Sequence, residues 1–115
     1  MVIAQGEVWW ADLGEPIGSR PGFRRPVVIV KGDPFDRSAL RTVVCVSLTS
    51  NVRWGDAPGF VHLPARSTGL PVDSVANVSQ MVTLDRQALS ERVGRLSAAN
   101  LELVLGGIDV VLGRS

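Results

Sequence analysis

Gly18-Ser19-Arg20-Pro21-Gly22-Phe23-Arg24-Arg25-Pro26-Val27-Val28-Ile29-Val30 is the stretch whose reading decides the fold. Its first half is a glycine- and proline-rich loop carrying Arg20, Arg24 and Arg25. From Pro26 it becomes an unbroken β-branched run, the pattern of a strand buried on both faces. Proline fits the start of such a strand, where a missing amide donor is tolerated. A cationic loop fixed at the mouth of a rigid strand is suited to hold an anion. Pro26 then reads as the hinge between a moving gate, Gly14 to Arg24, and a fixed element. Arg25 is the side chain that stays aimed while the gate moves.

Towards the N-terminus, Gly6-Glu7-Val8-Trp9-Trp10-Ala11-Asp12-Leu13 alternates as a first strand, with pleat phases that need a bulge to reconcile. The adjacent Trp9 and Trp10 point to opposite faces, one to the core and the other to an interface. Gly14 to Gly22 is a loop by its glycine and proline content, longer than a hairpin needs. Towards the C-terminus, Gly32-Asp33-Pro34 breaks the strand, and Phe35 to Leu40 reads as a short helical turn or loop. Thr42 to Thr49 is a second apolar strand, closed by the polar Thr49-Ser50-Asn51. Arg53 to Gly59 is a loop with Trp54 at its tip, and Phe60 to Leu63 is a short strand. Gly69-Leu70-Pro71 turns the chain into two strand-like pieces, Asp73 to Val78 and Gln80 to Leu84. Asp85 caps one helical turn through Leu89, and Arg92 to Leu96 is the last strand. Ser97 caps an amphipathic helix whose stripe is Leu101, Val104, Leu105, Ile108, Val111 and Leu112. Gly106-Gly107 inside that helix costs about 1–2 kcal/mol of propensity and predicts close backbone packing, on the sheet or across an interface. The sum is mainly β: a small antiparallel barrel or strongly curved sheet with a C-terminal α-helix packed on it.

At 115 residues the chain reads as one domain spanning 1–115, large enough to bury a modest core unaided. Its 45% hydrophobic content excludes a disordered tail and predicts some apolar surface covered in an oligomer. A net charge of +1 gives no bulk field that announces a nucleic-acid partner. Arginine supplies eleven of the twelve basic residues. That favours bidentate contacts to phosphate or carboxylate, or else reflects a GC-rich genome. The lone Cys45 allows neither a disulfide framework nor a CxxC metal site. No signal peptide and no long apolar run are visible, so the chain reads as cytosolic with no membrane span.

Two polar clusters mark ends of the two most apolar strands, Arg24-Arg25-Pro26 and Thr49-Ser50-Asn51. If those strands pair antiparallel, guanidinium and hydroxyls share one edge and form an oxyanion site suited to a phosphodiester. The alternative from spacing alone is that Arg25 pairs with an acidic residue and Thr49 caps a turn. His62, the only histidine, reads as an ordinary surface residue.

The motifs GEVWWADL, GSRPGFRRPVVIV, LTSN, TGLPVDS, SQMVTLD and LSERVGRLS occur in an order and spacing that resemble the MazF/PemK toxin endoribonucleases along the whole chain. The resemblance implies an SH3-like barrel of CcdB/PemK type, a homodimer, and a cognate MazE-like antitoxin that blocks the RNA groove. It implies cofactor- and metal-independent cleavage of single-stranded RNA, leaving 2′,3′-cyclic phosphate and 5′-hydroxyl ends. Arg25, directly before the proline, takes the place of the family's catalytic arginine, and Thr49 that of its catalytic threonine. Arginine stabilises phosphorane charge well but shuttles protons poorly, and threonine is no obvious base. Several relatives carry an acidic residue before the late-strand glutamine, where this chain has Ser79 before Gln80. Either the base comes from elsewhere, Asp73, Glu15 or the phosphate itself, or the chain relies on positioning and electrostatics alone. Ser19, Arg20, Arg24, Ser50, Asn51, Asp73 and Gln80 are expected substrate contacts. Trp54 and Phe23 either stack on unpaired bases or anchor their loops. The alternative function is a CcdB-like toxin that poisons DNA gyrase by binding; it does not need the arginine–threonine pair.

Overall fold

Strand β2, Arg24–Ile29, sits inside a six-stranded antiparallel sheet of order β4-β5-β3-β2-β1-β6. The other strands are β1 Glu7–Asp12, β3 Thr42–Thr49, β4 Val61–Leu63, β5 Ser74–Asp85 and β6 Leu89–Arg95. Among the described residues two α-helices join them, α1 Ala65–Thr68 and α2 Ala98–Val111, with 3-10 turns at Val52–Asp56 and Arg86–Ala88. This computed structural model describes residues 2–15, 18, 23–32 and 41–114, and only the backbone of Trp54. The expected turn or loop at Phe35 to Leu40 lies outside the described residues.

The β-branched run is buried as its composition demands: Val27, Val28 and Ile29 are fully buried and Val30 nearly so. Alternate residues feed opposite sides of the sheet. Val8, Val28, Val46 and Leu48 pack with Val104 and Ile108 of α2, while Trp9, Val27, Ile29 and Cys45 form a second core with Leu84 and Leu89. Trp9 is therefore the core tryptophan. The bulge expected in β1 occurs against β6, where the register shifts between Val8 and Trp9 and again between Trp10 and Ala11.

Strand β2 starts two residues before Pro26, so the hinge is not at the proline. Leu13 donates its N–H to the Phe23 carbonyl, and the antiparallel register runs on through Asp12–Arg24, Ala11–Arg25 and Trp10–Pro26. Bonded and non-bonded pairs alternate, which makes Trp10–Pro26 a non-bonded pair. The proline nitrogen thus faces the β3 side, where the ladder begins only at Val27. The missing donor costs no bond there, and Arg24 belongs to the sheet rather than to a gate.

The two pieces expected over Asp73 to Leu84 are one strand with a bend. Val46 pairs with Met81, but Leu48 pairs with Ala76, so β5 spends Asn77 to Gln80 opposite Ser47. Side chains hold this bulge: Ser79 Oγ donates to Asn77 Oδ1 at 2.7 Å and Asn77 Nδ2 to Gln80 Oε1 at 3.3 Å. Such insertions bend a strand and increase its twist. The curl brings α1, just beyond edge strand β4, onto edge strand β6. A Cβ at Gly94 would lie 2.7 Å from the Thr68 carbonyl, and one at Gly69 2.8 Å from that of Val93.

Both expected caps are present: Asp85 Oδ1 accepts from Gln87 N, and Ser97 Oγ from Asn100 N. The α2 stripe is shorter than its periodicity predicts. Val104 and Ile108 are buried, but Val111 and Leu112 are 43% and 56% exposed, with Leu103 and Val110 also exposed. Gly107 meets the Gly59 carbonyl so closely that no side chain fits, which answers the paired glycines with packing inside the chain.

One anchor was not anticipated. Glu7 is buried, and its Oε1 accepts from Ala4 N at 2.8 Å and Trp9 Nε1 at 3.2 Å, while Oε2 meets Arg92 Nε at 3.0 Å. Arg92 is half exposed, so the ion pair itself holds little. The two N–H donors are the larger matter. Glu7→Ala is expected to lower stability by about 2–4 kcal/mol, since it orphans both. Glu7→Gln, which keeps a carbonyl acceptor, is expected to cost roughly half of that. Urea unfolding of the two variants measures the difference.

Candidate active site

A cleft of about 190 Å³ opens where β2 begins and β3 ends. Its lining includes Arg24, Arg25 and Pro26 from β2, Leu48 and Ser50 from the end of β3, and Ser74 from the start of β5. Antiparallel pairing makes this meeting inevitable, because the start of one strand lies beside the finish of its neighbour. The ladder pairs Val27 with Ser47 and Ile29 with Cys45. Carried two residues past Val27, the same register sets Arg25 opposite Thr49, on one face of the sheet. Backbone pairing with Ala11 fixes Arg25 from the other side.

Thr49 caps a turn, as its alternative reading held: its Oγ1 accepts from Asn51 N at 3.1 Å. Accepting that bond does not use the hydroxyl proton, which remains able to donate. Asn51 is itself engaged, its Oδ1 accepting from Arg53 N at 3.4 Å. The segment expected as a plain loop after it is the 3-10 turn Val52–Asp56.

Arg24, beside Arg25, has an acidic partner. Its guanidinium lies 3.6 Å from Glu91 of β6 and stacks 4.4 Å above the centroid of the Trp10 ring. Phe23, next to it, is 64% exposed and holds a left-handed backbone at φ 60°. That conformation is costly for an aromatic residue. Phe23 closes the root of the preceding loop through bonds to both Leu13 and Gly14.

Other expected contacts stand apart. Asp73 flanks the cleft, and its Oδ1 accepts from Ala65 N at 2.8 Å, capping α1. Gln80 is on the β5 bulge, five residues beyond Val75, the partner of Thr49. Ser79, at the position where relatives carry an acid, is on the same bulge. Glu15 is exposed, and His62 is an exposed residue of β4. Ser19 and Arg20 lie outside the described residues, as does the Trp54 side chain. Trp10, Leu70, Pro71 and Val72 complete the lining and were not singled out from the sequence as site residues. No described helix is long and apolar enough to cross a membrane.

Residues 4–112 match the family described as PemK-like, MazF-like toxin of type II toxin-antitoxin system. Endoribonuclease MazF6 of Mycobacterium tuberculosis is 46% identical over 112 residues, covering 97% of this chain and 98% of that protein. Endoribonuclease EndoA of Bacillus subtilis is 28% identical over the same length, covering 97% and 96%. Among solved structures, MazF of Deinococcus radiodurans is similar with a TM-score of 0.82 at 24% identity, over 98% of each chain. A mycobacterial endoribonuclease in complex with its cognate antitoxin gives 0.80 at 23% identity, over 98% and 97%. These structural likenesses establish the curled sheet and terminal helix as a shared fold.

Proposed function

The chain belongs to the family of PemK-like, MazF-like toxins of type II toxin–antitoxin systems, and we propose that it is an endoribonuclease cutting single-stranded RNA at the Arg25–Thr49 site. In this reaction a ribose 2′-oxygen forms a bond to the adjacent phosphorus and the P–O5′ bond breaks. One proton leaves the 2′-hydroxyl and one reaches the departing 5′-oxygen, so the products are a 2′,3′-cyclic phosphate and a 5′-hydroxyl with no water consumed. Arg25 presents its fork to the non-bridging oxygens as charge builds on the phosphorane. Thr49 donates its hydroxyl to the same group. The observation that supports this reading is the β2–β3 register, which, carried two residues past Val27, sets Arg25 opposite Thr49 on one face of the sheet.

The working unit is a homodimer acting in the cytoplasm, held in check by a cognate antitoxin that covers the RNA groove. Apolar side chains left exposed on α2, among them Leu103 and Leu112, suit burial against a second copy. The antitoxin is supported by the similar mycobacterial structure, whose subject is bound to one. A gyrase poison on this fold is not favoured, since its curated relatives are endoribonucleases.

Incubating the purified protein with a long single-stranded RNA in EDTA, then mapping fragment ends, tests the proposal. Defined cuts are expected, and Thr49→Val is expected to slow them about 10²-fold, the usual loss for one donor to a developing oxyanion. Intact RNA alongside inhibited gyrase supercoiling would overturn it.

A further inference from the structure

Thr49 is the last residue of β3, and a chain of short-range bonds follows it. Asn51 N donates to Thr49 Oγ1 at 3.1 Å, and Arg53 N donates to Asn51 Oδ1 at 3.4 Å. In both links a side-chain oxygen accepts from the amide two residues on, standing in for a backbone carbonyl. The second link opens the 3-10 turn Val52–Asp56. The far side of that turn rests on β5: a Cβ at Gly55 would lie 3.7 Å from Val75 Cγ2, ordinary van der Waals contact. Val75 is fully buried and is the residue paired with Thr49. The path from Thr49 through Asn51, Arg53 and Gly55 therefore returns, by way of Val75, to Thr49.

This closed path fixes a hydroxyl. Thr49 is only part-buried at the end of its strand, and the bond its Oγ1 accepts selects among the staggered χ1 wells. That bond occupies one lone pair and leaves the hydroxyl proton for a second group. The Asn51 N–H can make it only while residue 51 keeps its place, and its own side chain, tied to Arg53 N, holds it there. We propose that Asn51 is a positioning residue: its side chain acts on the reaction through Thr49, by holding the amide that fixes the hydroxyl, and not by touching RNA. The inference rests on the reading of Thr49 as a donor to the phosphate. The acceptor Oδ1 carries the role, so a neutral residue with a short acceptor can replace it. A serine hydroxyl makes the same turn more weakly, and alanine cannot make it.

Single-turnover cleavage at saturating RNA, with affinity measured separately, tests the proposal. Asn51→Ala is expected to slow cleavage about tenfold, less than Thr49→Val does, because the hydroxyl is still present but misdirected. RNA affinity is expected to stay within about twofold. Asn51→Ser is expected to recover most of the rate. Added to Thr49→Val, Asn51→Ala is expected to cost nothing more, since the group it acts through is gone. Losses that multiply in the double variant, or an Asn51→Ser rate as low as that of Asn51→Ala, would mean that Asn51 meets the RNA itself and would overturn the proposal. NMR of the free protein separates this from the nuclease reading. Vicinal couplings of Thr49 are expected to show one χ1 rotamer in the wild type and in Asn51→Ser, and rotamer averaging in Asn51→Ala. Couplings unchanged in Asn51→Ala would overturn the positioning role whether or not RNA is cut. Averaged couplings, in a protein whose wild type leaves RNA intact, would keep the positioning of Thr49 and overturn the nuclease reading.

Discussion

Arg25→Lys is expected to lower the single-turnover rate of RNA cleavage by about 10²–10³-fold, with folding unchanged. A lysine keeps the charge but offers a compact, strongly hydrated point in place of a planar fork, and two equatorial phosphorane oxygens need the fork. Because Arg25 is exposed and its backbone is held by Ala11, the substitution removes chemistry without disturbing the core. Substrate affinity should fall much less than the rate, since the interaction strengthens as charge develops. Arg24→Lys supplies the contrast. It loses the guanidinium that covers Trp10 but not the charge stabiliser, and its rate is expected to stay within about tenfold of wild type. Near-normal cleavage by Arg25→Lys would show that another group carries the charge.

The second large effect concerns stability. Gly107→Ala is expected to lower the unfolding free energy by about 2–3 kcal/mol, in the overpacking range. Its new Cβ would fall on the Gly59 carbonyl oxygen, and a Cβ at Gly59 would in turn lie 2.8 Å from the Gly107 carbonyl. Both obstacles are backbone, so no side-chain rotation relieves them. Either α2 lifts off β5 or the turn at Gly59, already at φ +82°, must move. Gly106, one residue earlier, has nothing within 4 Å of its would-be Cβ. Gly106→Ala is therefore expected to gain roughly 0.5–1 kcal/mol from helix propensity alone. Urea unfolding of the pair reads opposite signs from identical chemistry. Equal effects would mean that the Gly59–Gly107 contact is not what holds the helix.

How legible each feature was depends on the range of the interaction behind it. The run Val27–Val30 and the caps at Asp85 and Ser97 were readable because side-chain burial and capping act over a few residues. That the start of β2 lies beside the end of β3 was readable, because antiparallel pairing alone brings such strand ends together. Non-local fit was not readable. The paired glycines announced close packing, but not that Gly59 would be the neighbour. Periodicity placed Val111 and Leu112 on the apolar stripe, yet both are exposed in the single chain. The join at Ser79 looked like a break between strands, whereas the Ser79–Asn77–Gln80 hydrogen bonds make it a bulge inside one. The same bulge sets Gln80 well along β5 from Val75, the residue paired with Thr49. Glu7 gave no signal, because its value lies in Ala4, Trp9 and the sequence-distant Arg92 meeting at one carboxylate.

The reaction proposed for Arg25 and Thr49 is attack by the RNA's own 2′-hydroxyl, not by water. The most direct measurement is cleavage, in EDTA, of an oligomer that spans a mapped cut and carries one 2′-deoxyribose at the nucleotide 5′ to it. The cut is predicted to disappear at that position alone, with the unmodified strand still yielding cyclic-phosphate and 5′-hydroxyl ends. Undiminished cutting of the deoxy strand would contradict the account.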